Sequence, residues 1–452
     1  MSFAFRLLRA AAPLLALLTT ACRTPPPIDL SLAQEIARIK AIDNHAHPVR
    51  VMPKGQQDRF YDALPLENMK PASDPLTLRP GAFPKVFPQG KQTLIDAKGQ
   101  HYPEWVLDQM NVDIMLANRV EMGPSIGPPR FRWVPYADAL LFPLDNTALG
   151  ADNPDRKGFF ALEAIVLQRY LTESGLQKPP PTLAEYLTQV VTPTLERHKQ
   201  GGAVAEKFEA AYLRSLAFSK VDRADADRAY TGQAPYKQLQ DYLFRYIAAE
   251  CGRLGMAVHL HTMAGGGGYF DTAGVNPLLL EPMLNDPTLR KTNFIMVHGG
   301  WPYTREITPL LIKPNAYLDF SQQSLVLDPH VLAQTLREWL TFIPEKVLYA
   351  TDAYPYSEEM GWEESGQIAG QRGREALGLA LTQMMRDGTV TRARAIELER
   401  MVLRENARRL YKFQEGRAGK PQLGSSAPVN FLHMTGLVPH PTYRGLRFVQ
   451  LL

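Results

Sequence analysis

Cysteine is nearly absent from this chain: Cys22 and Cys251 are the only two in 452 residues. If Cys22 is modified at its thiol, Cys251 has no partner and no disulfide can staple the fold. Cys251 then reads as a small buried apolar residue on a helix. An excess of one charge is missing too, with 50 Lys and Arg against 46 Asp and Glu and a formal net charge of +4. The basic residues are scattered, and no basic stripe interleaved with aromatics is present, so the expectation is no nucleic-acid partner. The glycine run Gly265 to Gly268 lacks the Lys-Ser/Thr ending of a phosphate-cradling loop and reads as a flexible loop instead. No internal repeat and no domain-splitting linker is apparent. What remains is a globular composition, 45% hydrophobic and 21% charged, long enough for one large barrel or two to three average domains.

The first residues have the pattern of an export signal. Arg6 and Arg9 flank the start, residues 10–18 are apolar but too few to span a bilayer as a mature helix, and Thr19-Thr20-Ala21 puts small residues before Cys22. Leu18-Thr19-Thr20-Ala21-Cys22 also resembles a bacterial lipoprotein box, with the leucine one residue farther from the cysteine than usual. That resemblance implies lipidation of Cys22 and a protein anchored to a membrane of the cell envelope, facing the periplasm; plain cleavage or an uncleaved anchor are the alternatives. Residues 1–22 are thus the expected signal and 23–31, with Pro25-Pro26-Pro27, a stiff tether.

Beyond the tether the chain alternates. Short apolar runs at 42–47, 112–118, 131–136, 203–208, 256–261, 293–298, 316–320 and 347–351 are separated mostly by helix-like patterns. Continuous apolar runs of this length indicate parallel strands covered on both faces, and eight of them predict a closed (β/α)8 TIM-type barrel over 32–415. An open doubly wound sheet is the alternative topology. Two stretches exceed the simple pattern. Residues 48–111 are long and rich in Pro and Gly, as a loop over the barrel mouth would be; 145–195 carries amphipathic helices, as a small helical insertion would. Residues 416–452 read as a tail outside the barrel.

The chemistry lies at the ends of the runs. In Asp43-Asn44-His45-Ala46-His47 the histidines are two apart, so on a strand both imidazoles point to one face. His261 closes the fifth run, His298 the sixth, and Asp352 follows the eighth. In a parallel barrel these are the carboxyl ends of the strands, where active sites are assembled. Imidazole nitrogens and a carboxylate suit zinc and its neighbours, and a ligand set one short of saturation leaves room for an activated water. The expectation is a metal hydrolase acting on a small molecule. His259, one layer deeper than His261, reads as a partner that fixes a ligand's tautomer. Arg119, Arg130, Arg132, Arg214 and Arg305 are candidates to grip a substrate carboxylate. Trp301, Tyr303 and Tyr354 are candidates to line a pocket.

The order of these motifs resembles the amidohydrolase superfamily over residues 41–413. More narrowly, His261-Thr262, Asn276-Pro277-Leu278-Leu279, His298-Gly299-Gly300-Trp301-Pro302 and Ala350-Thr351-Asp352-Ala353 are similar to the branch of aminocarboxymuconate-semialdehyde decarboxylase and the amidohydrolase-like proteins linked to glutamine synthetases. The resemblance implies that His45, His47, His261 and Asp352 bind a divalent metal, zinc being the expected ion, and that His298 is catalytic. It also implies that Lys207, in the fourth run, together with His298 would serve a second metal if the lysine is carboxylated. Otherwise Lys207 pairs with Glu206 or Glu209, or grips substrate. In the expected mechanism Asp352 takes a proton from metal-activated water and passes it to the leaving group, while His298 steadies the oxyanion. The same ligand set implies a decarboxylase as the alternative to a hydrolase, and a binding lipoprotein without turnover as the third class. Oligomeric state is not legible in the sequence.

Overall fold

A computed structural model describes residues 28–64, 90–151, 153–357 and 360–414. The expected signal with Cys22, most of the tether, the tail 416–452 and part of the segment between the first two strands lie outside the described residues. Among the described residues no helix is long and apolar enough to cross a membrane.

Eight strands form, one in each apolar run: β1 (Ala41–Ala46), β2 (Val112–Asn118), β3 (Phe131–Val134), β4 (Ala205–Phe208), β5 (Ala257–His261), β6 (Phe294–Val297), β7 (Ala316–Asp319) and β8 (Val347–Leu348). Every neighbouring pair is parallel, in the orders β1-β2-β3 and β4-β5-β6-β7-β8. Two parallel bridges, Tyr136 with Lys207 and Ala46 with Ala353, join these groups at both edges. Backbone bonds continue each seam: Lys207 N–H to the Pro135 carbonyl at 2.7 Å on one side, Asp352 N–H to the His45 carbonyl at 2.9 Å on the other. The sheet is therefore a closed TIM-type barrel, not an open doubly wound sheet. Closure hides both faces of the strands, and β1, β4, β5 and β6 are buried at every position.

Inside the cylinder, Ile42, Leu116, Val134, Ala205, Ala257, Ile295, Val297 and Leu348 pack with Ala407 and Phe413 from the chain beyond β8. Arg132 shares a strand face with Val134, and its guanidinium lies 5.4 Å from the Phe413 ring. This apolar floor fills the amino-terminal end of the barrel, so polar side chains gather at the other end. Outside, helices such as Tyr236–Leu254, Pro329–Phe342 and Trp362–Arg386 bury their apolar stripes against the strands.

Between β3 and β4 the chain runs through Pro154–Glu173, begun by the Asn153 side chain, which accepts the backbone N–H groups of Asp155 and Arg156. The stretch expected as a loop between β1 and β2 is partly helical, with helices Lys91–Lys98 and Tyr102–Gln109. Pro103 in the first turn and the buried Val106 and Leu107 account for the second of these. The start of that connection, at Pro48 and Asp58, is pinned by Arg119, which follows β2. Its Nη2 donates to both Asp58 oxygens, at 3.0 and 2.7 Å, and its Nη1 to the Pro48 carbonyl. Arg50 adds two further donors to Asp58. Burial opposes charge on Asp58, yet the two guanidiniums outweigh it and hold the carboxyl below its usual range. Arg119 is thus no substrate ligand, contrary to expectation: its fork is fully engaged and fully buried.

Asp58→Ala would strand the Arg119 guanidinium in the interior. The expected loss is about 3–5 kcal/mol of stability, read as a lower urea midpoint, with Asp58→Leu combined with Arg119→Met recovering much of it.

Candidate metal centre

Two strained turns lie at the rim. Asp352 and His298 adopt left-handed backbone, with φ of 56° and 70°, where few non-glycine residues are found. The turn at His298 continues through Gly299 and Gly300, also at positive φ. A Cβ on Gly299 would meet Trp339 at 2.5 Å and the Asp319 carbonyl at 2.9 Å, so glycine is required there. A register shift between Asp43 and Ala46 lets His45 and His47 both reach inward. Asp43 ties this segment to the eighth strand by accepting the Thr351 N–H at 3.0 Å and the Thr351 hydroxyl at 2.6 Å, one residue before Asp352.

Three donor atoms meet as a result. His45 Nε2 and His47 Nε2 stand 3.2 and 3.3 Å from Asp352 Oδ1 and 3.4 Å from each other. Tetrahedral ligands about 2.0–2.1 Å from a zinc ion stand roughly 3.3–3.4 Å apart, so the triangle has the size of a metal's coordination shell. Partners set the tautomers. His47 Nδ1 lies 3.1 Å from the Tyr136 hydroxyl and 3.5 Å from Asp62, which directs its N–H outward and its Nε2 lone pair inward. His45 Nδ1 lies 2.6 Å from the Asn118 amide. The atom facing Nδ1 is Asn118 Nδ2, which also donates to the Ala46 carbonyl at 3.3 Å; a lone pair on His45 Nε2 requires the amide to turn over, which gives Asn118 Oδ1 a partner and gives up the Ala46 bond.

His298 and His261 complete the wall. The His298 ring is 5.0 Å from that of His45 and 4.7 Å from that of His261. Ser321 Oγ donates to Asp319 at 2.5 Å and therefore accepts His298 Nδ1–H at 2.7 Å, leaving the lone pair on Nε2. His261 stands beside the triangle and not in it: its Nε2 bonds the Met263 carbonyl at 2.8 Å, and Tyr212 packs on its ring at 4.5 Å. Its Nδ1 then carries the lone pair. One layer below, His259 Nε2 bonds the Tyr411 hydroxyl at 2.7 Å.

Electrostatics prepare the cluster for a cation. Burial holds His298 down to about 3, and burial with the Lys207 charge holds His45 well below the usual imidazole range. Burial opposes ionisation of Asp352, but His298, His45 and His47 outweigh it and keep its carboxyl well below normal. Neutral imidazoles beside an ionised carboxylate are what a divalent ion requires. Lys207 is fully buried, 3.4 Å from His45 Nε2 and 3.6 Å from Glu209 Oε1, so it pairs with Glu209 and not with Glu206, which faces His198.

The remaining arginines lie elsewhere. Arg214 is buried against Asp241 at 2.5 Å and Gln240 at 2.9 Å; Arg132 points to the floor; Arg130 bonds the carbonyls of Val112 and Asp113; Arg305 is 85% exposed beside Glu338. None of the four reaches the triangle, because each guanidinium has found a partner that sequence distance concealed or lies out on the surface. Trp301 is half-buried next to the loop after β5, where its carbonyl accepts the Ala264 N–H. Tyr303 bonds the Thr272 carbonyl, and Tyr354 packs 5.1 Å from the His47 ring. Sequence reasoning missed Asn118, Tyr136, Asp319 and Ser321. Asn118 and Asp319 end β2 and β7 as polar residues after apolar ones, the same signal that exposed the histidines.

The amidohydrolase family model matches residues 185–413, half of the chain. Among solved structures, one from Lactobacillus casei described as a metal-dependent hydrolase aligns with a TM-score of 0.51 at 17% identity, covering 84% of this chain and 97% of that one. A uronate isomerase from Thermotoga maritima aligns with a TM-score of 0.49 at 14% identity, covering 84% and 96%. No curated protein matches significantly. At these identities the structural likeness concerns the fold alone.

In metal-stripped protein the His298 ring stays neutral from its ordinary value of 6.5 down to about 3, a range in which the unfolded chain takes up a proton. Its contribution to stability is therefore complete above that window and lost on acidification through it. The unfolding free energy of the wild type relative to His298→Gln should fall by about 1.4 kcal/mol for each pH unit of acidification within it. Urea titrations across the window check this, and a difference that is flat with pH would contradict it.

Proposed function

The chain belongs to the amidohydrolase family, whose superfamily uses divalent metal ions, and from this premise we propose that it hydrolyses an amide, lactone or ester of a small molecule. The observation that carries the reading is the triangle of His45, His47 and Asp352, whose donor atoms stand 3.2 to 3.4 Å apart, zinc being our choice for so nitrogen-rich a set. A bound divalent ion supplies a water acidified toward about pH 7 and a Lewis acid for the carbonyl.

The chain's own groups do the rest. Asp352, held ionised, accepts the proton lost by the attacking water and delivers it to the leaving atom. His298 has its Nδ1–H taken by Ser321, so its neutral Nε2 faces the reaction as an acceptor that orients the attacking water by taking a hydrogen bond from it. Asp319 holds Ser321, the His298 backbone N–H and the Asn44 side chain, which fixes that geometry. The buried wall excludes bulk water, strengthening each of these interactions.

A specific observation favours hydrolysis over decarboxylation. A decarboxylase binds a substrate carboxylate, yet Arg119 and Arg214, two of the arginines that could grip one, are engaged by Asp58 and Asp241. From the sequence of residues 1–22 alone, we place the enzyme outside the cytoplasm on a lipid anchor at Cys22, where it would meet molecules of the envelope.

Purified protein should contain tightly bound divalent metal by elemental analysis, and Asp352→Asn and His298→Ala should each lower turnover at least about 100-fold with the fold retained. Acid release from lactones or amides in a pH-stat identifies the hydrolase. Carbon dioxide release from carboxylated substrates instead would make it a lyase, and a metal-free wild type would end both readings.

A further inference from the structure

The outer side of His47 opens onto a second group of donors. Asp62 and Glu209 each bring a carboxylate oxygen within 4.8 Å of the other and of a His47 ring nitrogen; the imidazole turns its N–H this way, so the ligands on offer are the carboxylates. Asp62 comes from the loop after β1 and Glu209 directly follows β4; both are only 5% exposed. Behind them lie Asp138, whose Oδ2 accepts the Glu209 N–H at 2.7 Å, and Glu163 from the helix Pro154–Glu173. Asp62, Asp138, Glu163 and Glu209 thus put four buried carboxyls into one pocket, and the cation facing them is Lys207, 3.6 Å from Glu209 Oε1.

The pocket is short of partners. Glu209 Oε2, Asp138 Oδ1 and both Glu163 oxygens are buried with none. Buried carboxylates left this way are unfavourable unless they gain protons or a cation. Burial, and then the mutual repulsion of Asp138, Glu209 and Asp62, raises Glu163 well above the usual range. Lys207 satisfies one oxygen and is drawn the other way by its position 3.4 Å from His45 Nε2, where an ion at the first centre would repel its ammonium.

We propose that Asp62 and Glu209, beside His47, form a second cation site that takes a hard divalent ion such as manganese or magnesium. Carboxylate oxygens, with water completing the shell, suit such ions, whereas the first centre is dominated by nitrogen. Asp138 and Glu163 stand behind the ligands and add negative potential that retains the ion. The second ion neutralises the pocket, which one proton-bearing lysine cannot do. This goes beyond the hydrolase reading, which requires one ion only, and the site differs from a carboxylated Lys207 bridge in using neither Lys207 nor His298.

The test is manganese(II) titration of the full-length, chelator-stripped protein, followed by calorimetry and by the spin-resonance signal of free manganese. The wild type should bind two ions per chain. Glu209→Gln, nearly isosteric, should bind one, with the tighter affinity changed less than about threefold and an unchanged circular dichroism spectrum; Asp62→Asn should likewise lose the weaker ion. His45→Ala should lose the tighter ion and keep the weaker. A wild type that saturates with one ion, or Glu209→Gln retaining two or losing both, overturns the proposal. One ion in the wild type and none in His45→Ala would leave the hydrolase reading standing while this one falls.

Discussion

The meeting of the first and eighth strands is the constraint on which the site depends. His45 and Asp352 are brought together because Asp43 accepts two hydrogen bonds from Thr351 and because the Asp352 N–H finds the His45 carbonyl. That seam is made of backbone and one buried carboxyl, and burial raises Asp43 to about 7. With the seam closed, the ends of β1, β5 and β6 and the turn after β8 surround one small volume. Without it the histidines would line separate edges of an open sheet. Closure and chemistry are thus a single structural event.

The second layer of organisation is electrostatic. Burial keeps the imidazoles neutral, whereas neighbouring groups keep Asp352 ionised against the same burial. Tyr136 and Ser321 occupy the outward nitrogens of His47 and His298, so the inward nitrogens of these two rings carry the lone pairs. Ring orientation and protonation are therefore fixed before any ligand arrives, which is how a rigid scaffold lowers the reorganisation needed on binding.

Much of this was legible in the sequence because parallel strands announce themselves as continuous apolar runs, and a polar residue that ends such a run must face the rim. That rule located all eight strands and placed His45, His47, His298 and Asp352 together. It does not extend to long side chains, whose partners lie far along the chain. Arg119 and Asp58 are 61 residues apart, and Arg214 and Asp241 are 27 apart; nothing local distinguishes an arginine clamped this way from one that awaits a ligand. Asp62 escaped notice, and Glu209 was read only as a partner for Lys207, for a related reason, since isolated acidic residues in a chain normally mark solvated surface. Only the third dimension shows them turned inward.

The apolar floor has a consequence for traffic. With Phe413 and Ala407 packed into one end of the cylinder and Tyr411 bonded to His259 beneath the histidines, the described residues close the floor of the barrel. Whatever reaches the rim must depart by the door it entered, so a departing molecule and an arriving one exclude each other. A leftover fragment that lingers blocks its successor as a direct competitor for the same space.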